Sequence, residues 1–306
     1  MGLKIKSLEE HSRPDSIDEV RIKEMGNIIE VMYSERTNHK IYIKKISDKE
    51  YIDLRTGEVK ECNQIENRAG NLSSVRQSLG RLRDLLNTNI TDVSKCRWVT
   101  LTYAENMTDP RKLMKDFEKF NKRMSYKLFK DGFKYEYIVC MEPQGRGAWH
   151  AHMVMIFNQK APYIPNDDMA AIWGHGFTKT KKLEDVDNVG AYLTAYLGDM
   201  DMSEFKNLSE EEQNSMRIFG IKEVEIDGVS KSILKGARLH MYPPKFNLYR
   251  ASKGIKKPVV SYETEKEAQK KVSAGTLTFE KTIELSDSDS QFSNTINYRH
   301  YNLIRK

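Results

Sequence analysis

Two histidines one residue apart, His150 and His152, stand in a run over residues 148–157 that reads as a β-strand. Side chains alternate along a strand, so both imidazoles share one face while Trp149, Ala151 and Met153 take the other. Two imidazoles on one sheet face can hold a divalent ion. By itself His-x-His is weak, since most such pairs are surface or packed histidines. Glu142 strengthens it. It stands eight residues before His150, at the end of the preceding strand-like run, with Gln144-Gly145-Arg146-Gly147 between them as a reversing loop. A tight hairpin there sets Glu142 beside the histidines as a third ligand, against the plain alternative of a solvent-facing strand end. A carboxylate suits Mg²⁺ or Mn²⁺, whereas two imidazoles would also accept Zn²⁺.

Tyr192 and Tyr196 are four apart in a stretch that reads as helix over residues 189–197, hence one turn apart on one face. Amphipathic packing with Leu193 and Leu197 is the plain reading. Beside a metal-polarised phosphate, however, a tyrosine can attack phosphorus and form a covalent phosphotyrosine.

The elements that must position these groups are legible around them. Residues 97–103, RWVTLTY, are β-branched and aromatic and read as a strand. Asp109-Pro110 supplies an N-cap and first-turn proline. Leu113, Phe117, Phe120, Met124 and Leu128 then form one apolar stripe on a long helix. Strands over 134–141 and 148–157, a short helix over 167–173, a fourth strand over 177–183 and the tyrosine-bearing helix follow. That order, β-α-β-β-α-β with a trailing helix, predicts an α+β fold on the split βαβ plan, an antiparallel sheet with helices on one face. A leading helix is expected over 70–88 from the spacing of Leu72, Val75, Leu79, Leu82 and Leu86. Residues 1–20 read as a loose tail and 28–59 as a small antiparallel meander. The expected organisation is therefore 1–65 for tail and meander, 66–200 for the core, and 201–306 for a basic, aromatic, β-rich extension.

The chain has 306 residues, 50 Lys and Arg against 44 Asp and Glu, and a net charge of +6. Its distribution matters more than its size. From Lys231 to Lys257 the cations Lys231, Lys235, Arg238, Lys245, Arg250, Lys253, Lys256 and Lys257 run without an Asp or Glu, with Tyr242, Phe246 and Tyr249 among them. Cations beside aromatic faces suit single-stranded nucleic acid. A solvated basic loop with aromatics packed inward carries similar weight. Arg146, Lys179, Lys181, Lys235, Arg238, Tyr242, Lys245, Arg250 and Lys253 are the candidate DNA contacts. Three scattered cysteines, Cys62, Cys96 and Cys140, without a CxxC pair, exclude a disulfide scaffold and a zinc finger and suit a reducing cytoplasm. No apolar run is long enough for a membrane span and no secretory leader is visible.

TLTY at 100–103, Glu142 with His150-Ala151-His152, and AYLTAYL at 191–197 stand in the order and spacing of the three motifs of HUH endonucleases. The chain resembles the rolling-circle replication initiators of bacterial plasmids, phages and integrative elements. The segments WGHGF at 173–177 and KGARLHMYPPKFNLYRASKGIKKP at 235–258 are also similar to segments of such proteins. The resemblance implies a Mg²⁺- or Mn²⁺-dependent endonuclease that nicks single-stranded or cruciform origin DNA. Glu142, His150 and His152 would hold the ion, and Tyr192 or Tyr196 would become linked to the 5′ end. A host DNA polymerase would extend the released 3′-OH and a host helicase would open the duplex, since no P-loop is present. Tyrosines following the histidine pair resemble initiators; in conjugative relaxases the tyrosine comes first. The chain departs from the family pattern in two respects. Ala195 and Asp199 stand where a lysine often follows the tyrosine by three, and the middle residue of the pair is the small Ala151. Lys179, Lys181 or Lys182 would then have to supply the missing charge.

Three other classes compete. A relaxase-like transfer nuclease shares the chemistry. A zinc hydrolase needs further ligands, but His11, His39, His175, His240 and His300 show no such spacing. A non-enzymatic RNA-binding module shares the split βαβ plan but should carry an RNP-type motif, and none occurs.

Overall fold

The computed structural model describes residues 4–9, 13–37, 41–183, 188, 190, 194, 197–216, 218–226, 229–287 and 292–305. The chain forms two compact units, one made of Met1–Ile65 with Pro258–Lys306 and the other of Glu66–Lys257. The fold class is α+β, with several antiparallel sheets. Where three consecutive segments were expected, the C-terminal third divides: residues 201–257 pack with the core, and residues 258–306 join the N-terminal residues.

In the first unit, six antiparallel strands lie in the order Lys4–Leu8, Thr276–Asp287, Phe292–Asn302, Ile28–Ser34, Glu19–Met25 and Val259–Thr264. The expected loose tail thus contains a strand, with Lys4–Leu8 paired along Thr282–Ser286. Its partner lies at the other end of the chain, and exposed Lys4 and Lys6 suit a sheet edge. Of the expected meander, only Ile43–Lys45, Glu50–Asp53 and Val59–Glu61 form a separate three-stranded sheet. Ile28–Ser34 instead joins the larger sheet, burying Ile29 and Val31 with Val20, Ile22 and Tyr301 beneath Ala268 and Val272 of the helix Glu265–Val272. Thr264 and Glu267 close a capping box at that helix's start.

The second unit opens with helix α1 (Leu72–Asn89) and strand β1 (Cys96–Leu101). Helix α2 (Pro110–Lys130) follows, capped by Asp109, whose carboxylate accepts from the Arg111 amide at 2.8 Å. Next come β2 (Tyr135–Pro143), β3 (Trp149–Phe157), helix α3 (Asn166–Trp173) and β4 (Thr178–Lys181). Tyr249–Ala251, from the basic segment, forms β5. The sheet order is β4-β1-β3-β2-β5, with every neighbouring pair antiparallel.

Strand alternation gives this sheet two faces. One carries Val99, Leu101, Val139, Met141, Ala151, Met153 and Met155, buried with Leu113, Phe117, Phe120 and Met124 of α2 and with Met169 and Trp173 of α3. The other carries both histidines, and part of it is also covered: Leu82 and Leu86 of α1 are buried with Cys96, Ile138, Cys140 and Val154. Helices therefore lie on both faces, a correction to the expectation of one. Leu82 and Leu86 form an apolar end of α1 that must be buried somewhere, and nothing in their spacing says against which face. A small sheet of Met200–Asp201, Val229–Leu234 and Ile221–Ile226 completes the unit.

Candidate metal centre

The hairpin between β2 and β3 sets the site. Gly147 takes φ 83°, which favours glycine, and the loop closes through Gly147 N–H to Gln144 O at 2.8 Å and Gln144 N–H to Ala148 O at 2.7 Å. The resulting register pairs Glu142 directly with His150, and Cys140 with His152, which also lies opposite Thr100 of β1. Paired residues share a face. The loop length therefore sets Glu142 beside the histidines, and the β1–β3 pairing brings Thr100 to the same place.

The ligand atoms of Glu142, His150 and His152 lie within 4.8 Å of one another. The two histidine Nε2 atoms are 2.7 Å apart, and Glu142 Oε2 is 3.7 Å from His150 Nε2 and 3.5 Å from His152 Nε2. The rings cross at 84° with centroids 4.5 Å apart. Thr100 Oγ1 lies 3.1 Å from Nδ1 of His152, and Trp98 stacks on that ring at 5.2 Å. The Thr100 hydroxyl can accept from Nδ1 or donate to it; with the proton on Nδ1, the Nε2 lone pair is free for a cation, the arrangement a ligating histidine needs. Nδ1 of His150 is buried without a hydrogen-bond partner.

Burial disfavours charge on Glu142, but the hydrogen bonds of His150 and His152 and the charges of His152 and Arg238 outweigh it, holding the carboxyl well below the usual carboxylate range. Burial lowers His150 below the ordinary imidazole value. Both groups thus favour the forms that donate lone pairs, a carboxylate and a neutral imidazole. Two imidazole nitrogens and one carboxylate oxygen facing a common point fit a divalent cation, and among the described residues this is the one such group.

The opposite oxygen of Glu142 is also engaged. Oε1 accepts from the Gly198 amide at 3.2 Å and from Arg238 Nη1 at 3.2 Å. Arg238 also pairs with Glu204, whose Oε1 accepts from the Gly145 amide at 2.8 Å. Spacing alone gives no sign of Glu204, which lies in an acid-rich stretch of the chain.

Tyr192 and Tyr196 lie outside the described residues. The residues flanking them are anchored. Gly190 N–H donates to Asn87 Oδ1 of α1 at 2.7 Å, so close that a Cβ at 190 would sit 2.4 Å from Arg83 O. Gly198 reaches Glu142 as described. Leu197 packs with the apolar cluster beneath the histidine face.

The candidate DNA contacts separate. Lys179 and Lys181 are exposed and pair with Thr100 and Trp98, so they share the face of the histidines, with Lys179 in register with His152 through Thr100. Arg146 is exposed in the hairpin loop. Lys235, Lys245, Arg250 and Lys253 are exposed, Arg250 lying 3.8 Å from Glu118. Tyr242 differs: it is 1% exposed, with its ring edge-on to Trp149 at 5.3 Å and near Phe246, so neither face is open to a base. Arg238 is turned inward to two carboxylates rather than outward to phosphate. Of the aromatic neighbours that cover Tyr242, Trp149 stands in β3, almost a hundred residues earlier. His175 is 3.7 Å from Asp116, which also accepts from Tyr103 Oη at 3.0 Å, away from the metal group.

Residues 96–201 match the model of a family of replication-associated proteins. That family is described as Replication-associated protein ORF2/G2P, the rolling-circle replication initiators of phages and plasmids, and it bears out the resemblance read from the three motifs. The matched segment runs from the first residue of β1 to just past Gly198 and contains Glu142, His150, His152 and both tyrosines. No curated protein and no solved structure matches the chain.

Proposed function

We propose that this chain is an origin-nicking, strand-transferring endonuclease that initiates rolling-circle DNA replication through a 5′-phosphotyrosine intermediate. The observation that carries the proposal is the convergence of Glu142, His150 and His152 on one sheet face inside the family-matched segment. The order β4-β1-β3-β2 of an all-antiparallel sheet, with α2 crossing from β1 to β2, supports reading that segment as the split βαβ nuclease core.

Glu142, His150 and His152 would hold Mg²⁺ or Mn²⁺, which when bound supplies Lewis-acid polarisation of the scissile phosphate. Lys179 and Lys181, exposed on that face, would hold the flanking phosphates of single-stranded or cruciform origin DNA. The Tyr192 or Tyr196 oxygen attacks phosphorus, the bond to the 3′-oxygen breaks, and the phenolic proton is balanced by protonation of that oxygen. One phosphodiester replaces another, so no nucleotide cofactor is consumed. The 3′-OH then primes a host polymerase, with a host helicase supplying the strand opening. The anchoring of Gly190 and Gly198 supports this role for the tyrosines, because the peptide between them carries both.

The test is incubation with labelled single-stranded origin oligonucleotides and Mn²⁺, followed by denaturing electrophoresis. The proposal expects an SDS-resistant adduct with wild-type protein, none with EDTA or with Tyr192→Phe/Tyr196→Phe together. DNA binding without any adduct on either origin strand would instead support a non-enzymatic nucleic-acid-binding module.

A further inference from the structure

Glu142 has its two carboxylate oxygens assigned to different partners. Oε2 faces Nε2 of both histidines, while Oε1 receives Arg238 and the Gly198 amide. A glutamate at a strand end has three soft side-chain torsions and two equivalent oxygens, so nothing in β2 alone decides which oxygen turns to the histidines. The guanidinium does, because its planar fork donates in fixed directions.

The fork is itself held. Arg238 is largely buried, its second nitrogen pairs with Glu204, and its amide donates to Gly198 O at 3.0 Å. Glu204 in turn accepts from the Gly145 amide in the β2–β3 hairpin. Glycine at 145 leaves room for that approach, since a Cβ there would lie 2.3 Å from Glu204 Oε1 and displace the carboxylate. Asp199 accepts from the Gly236 amide at 2.7 Å, closing the same segments together. Residues 142, 145, 198–204 and 236–238 form one hydrogen-bonded circuit around the carboxylate.

We propose that Arg238, oriented by Glu204, is a positioning residue that presents Glu142 Oε2 to a divalent cation; this rests on the metal-centre reading above. Electrostatics and orientation pull in opposite directions here. A fixed positive charge near a cation site opposes the cation, so Arg238 acting only through its charge would weaken metal binding. Acting through orientation it strengthens binding, as outer partners of ligating carboxylates do, by about 10–100-fold.

Mn²⁺ alone, titrated into the full chain without DNA and followed by the loss of its free-ion EPR signal, separates these roles. Arg238→Gln, Arg238→Lys, Glu204→Gln and His150→Ala are compared, with melting curves alongside. The proposal expects Arg238→Gln to bind about 10–100-fold more weakly, Arg238→Lys to lie between it and wild type, and Glu204→Gln to shift in the same direction. Affinity unchanged or tightened in folded Arg238→Gln overturns it, even if the melting temperature falls. Should Arg238→Gln not fold, unchanged affinity in Glu204→Gln overturns it equally. If wild type fails to bind Mn²⁺, or His150→Ala binds as well as wild type, the metal-centre reading falls and this inference with it. Tight binding by wild type with indifferent Arg238 and Glu204 variants removes the positioning role alone.

Discussion

The ring of His152, a candidate ligand, is held by atoms on its other side. Thr100 Oγ1 engages Nδ1 and Trp98 covers the ring, so the ring's orientation is set before any ion arrives. Thr100→Val should therefore weaken Mn²⁺ binding about tenfold with little loss of fold, read by EPR titration beside a thermal melt. A pH dependence follows from His150. Burial lowers its folded pKa, so below about pH 6.5 the unfolded chain takes up a proton that the folded one resists. Stability contributed by neutral His150 is present above that pH and lost as pH falls toward the folded value. Glu142, also depressed when folded, adds a loss in the same direction at lower pH. Metal-free protein should melt at lower temperature at pH 5.5 than at pH 7.5, and His150→Phe should flatten that part of the slope. The convergence of Glu142, His150 and His152 was legible because a strand has a period of two and a short Gly loop fixes its hairpin. The partners of Glu142 were not. Arg238 and Glu204 reach it from segments 96 and 62 residues away, and inside a run of cations Arg238 reads as a phosphate contact.

At the scale of elements, the apolar stripe of α2, its Asp109-Pro110 start and the four core strands were legible because each signal is local and periodic. Which face α1 would cover, and that Tyr249–Ala251 would add a fifth strand, were not. Both depend on long-range contacts: Tyr249 pairs with Cys140, and Leu82 is buried in one cluster with Ile138 and Val154. The contact of α1 with Gly190 gives an element-level prediction. Gly190→Ala forces a Cβ onto Arg83 O and Asn87, overpacking that should cost about 1–3 kcal/mol in a denaturant melt. Because Glu142 and the histidines lie in β2 and β3, Mn²⁺ affinity should persist while adduct formation falls. Loss of both together would mean that the contact is a general part of the fold.

For the whole molecule, the division into units says where the chemistry should reside. Glu142, His150, His152, Thr100, Arg238 and Glu204 all lie within Glu66–Lys257. A fragment of residues 66–257 should accordingly bind Mn²⁺ with the affinity of the full chain, measured by the same titration. A fragment that folds without binding would place a missing part of the site elsewhere. The other unit is built from both termini, which no reading along the chain joins: its central pairing sets Ile28–Ser34 against Phe292–Asn302. No helix among the described residues is long and apolar enough to cross a membrane. The mild net charge of +6 conceals a concentrated cationic segment, so DNA affinity should fall steeply with salt.

The central claim is attack by a tyrosine under the control of the Glu142 centre, and mass spectrometry of the covalent product tests it most directly. Cleaved origin DNA would be digested with nuclease and the protein with trypsin, leaving both tyrosines on the single peptide of residues 183–206. The account predicts a nucleotide remnant on that peptide, at Tyr192 or Tyr196, formed with Mn²⁺ and absent from His150→Ala. Cleaved DNA with free 5′-phosphates and an unmodified 183–206 peptide would contradict it, since water rather than tyrosine would then be the nucleophile.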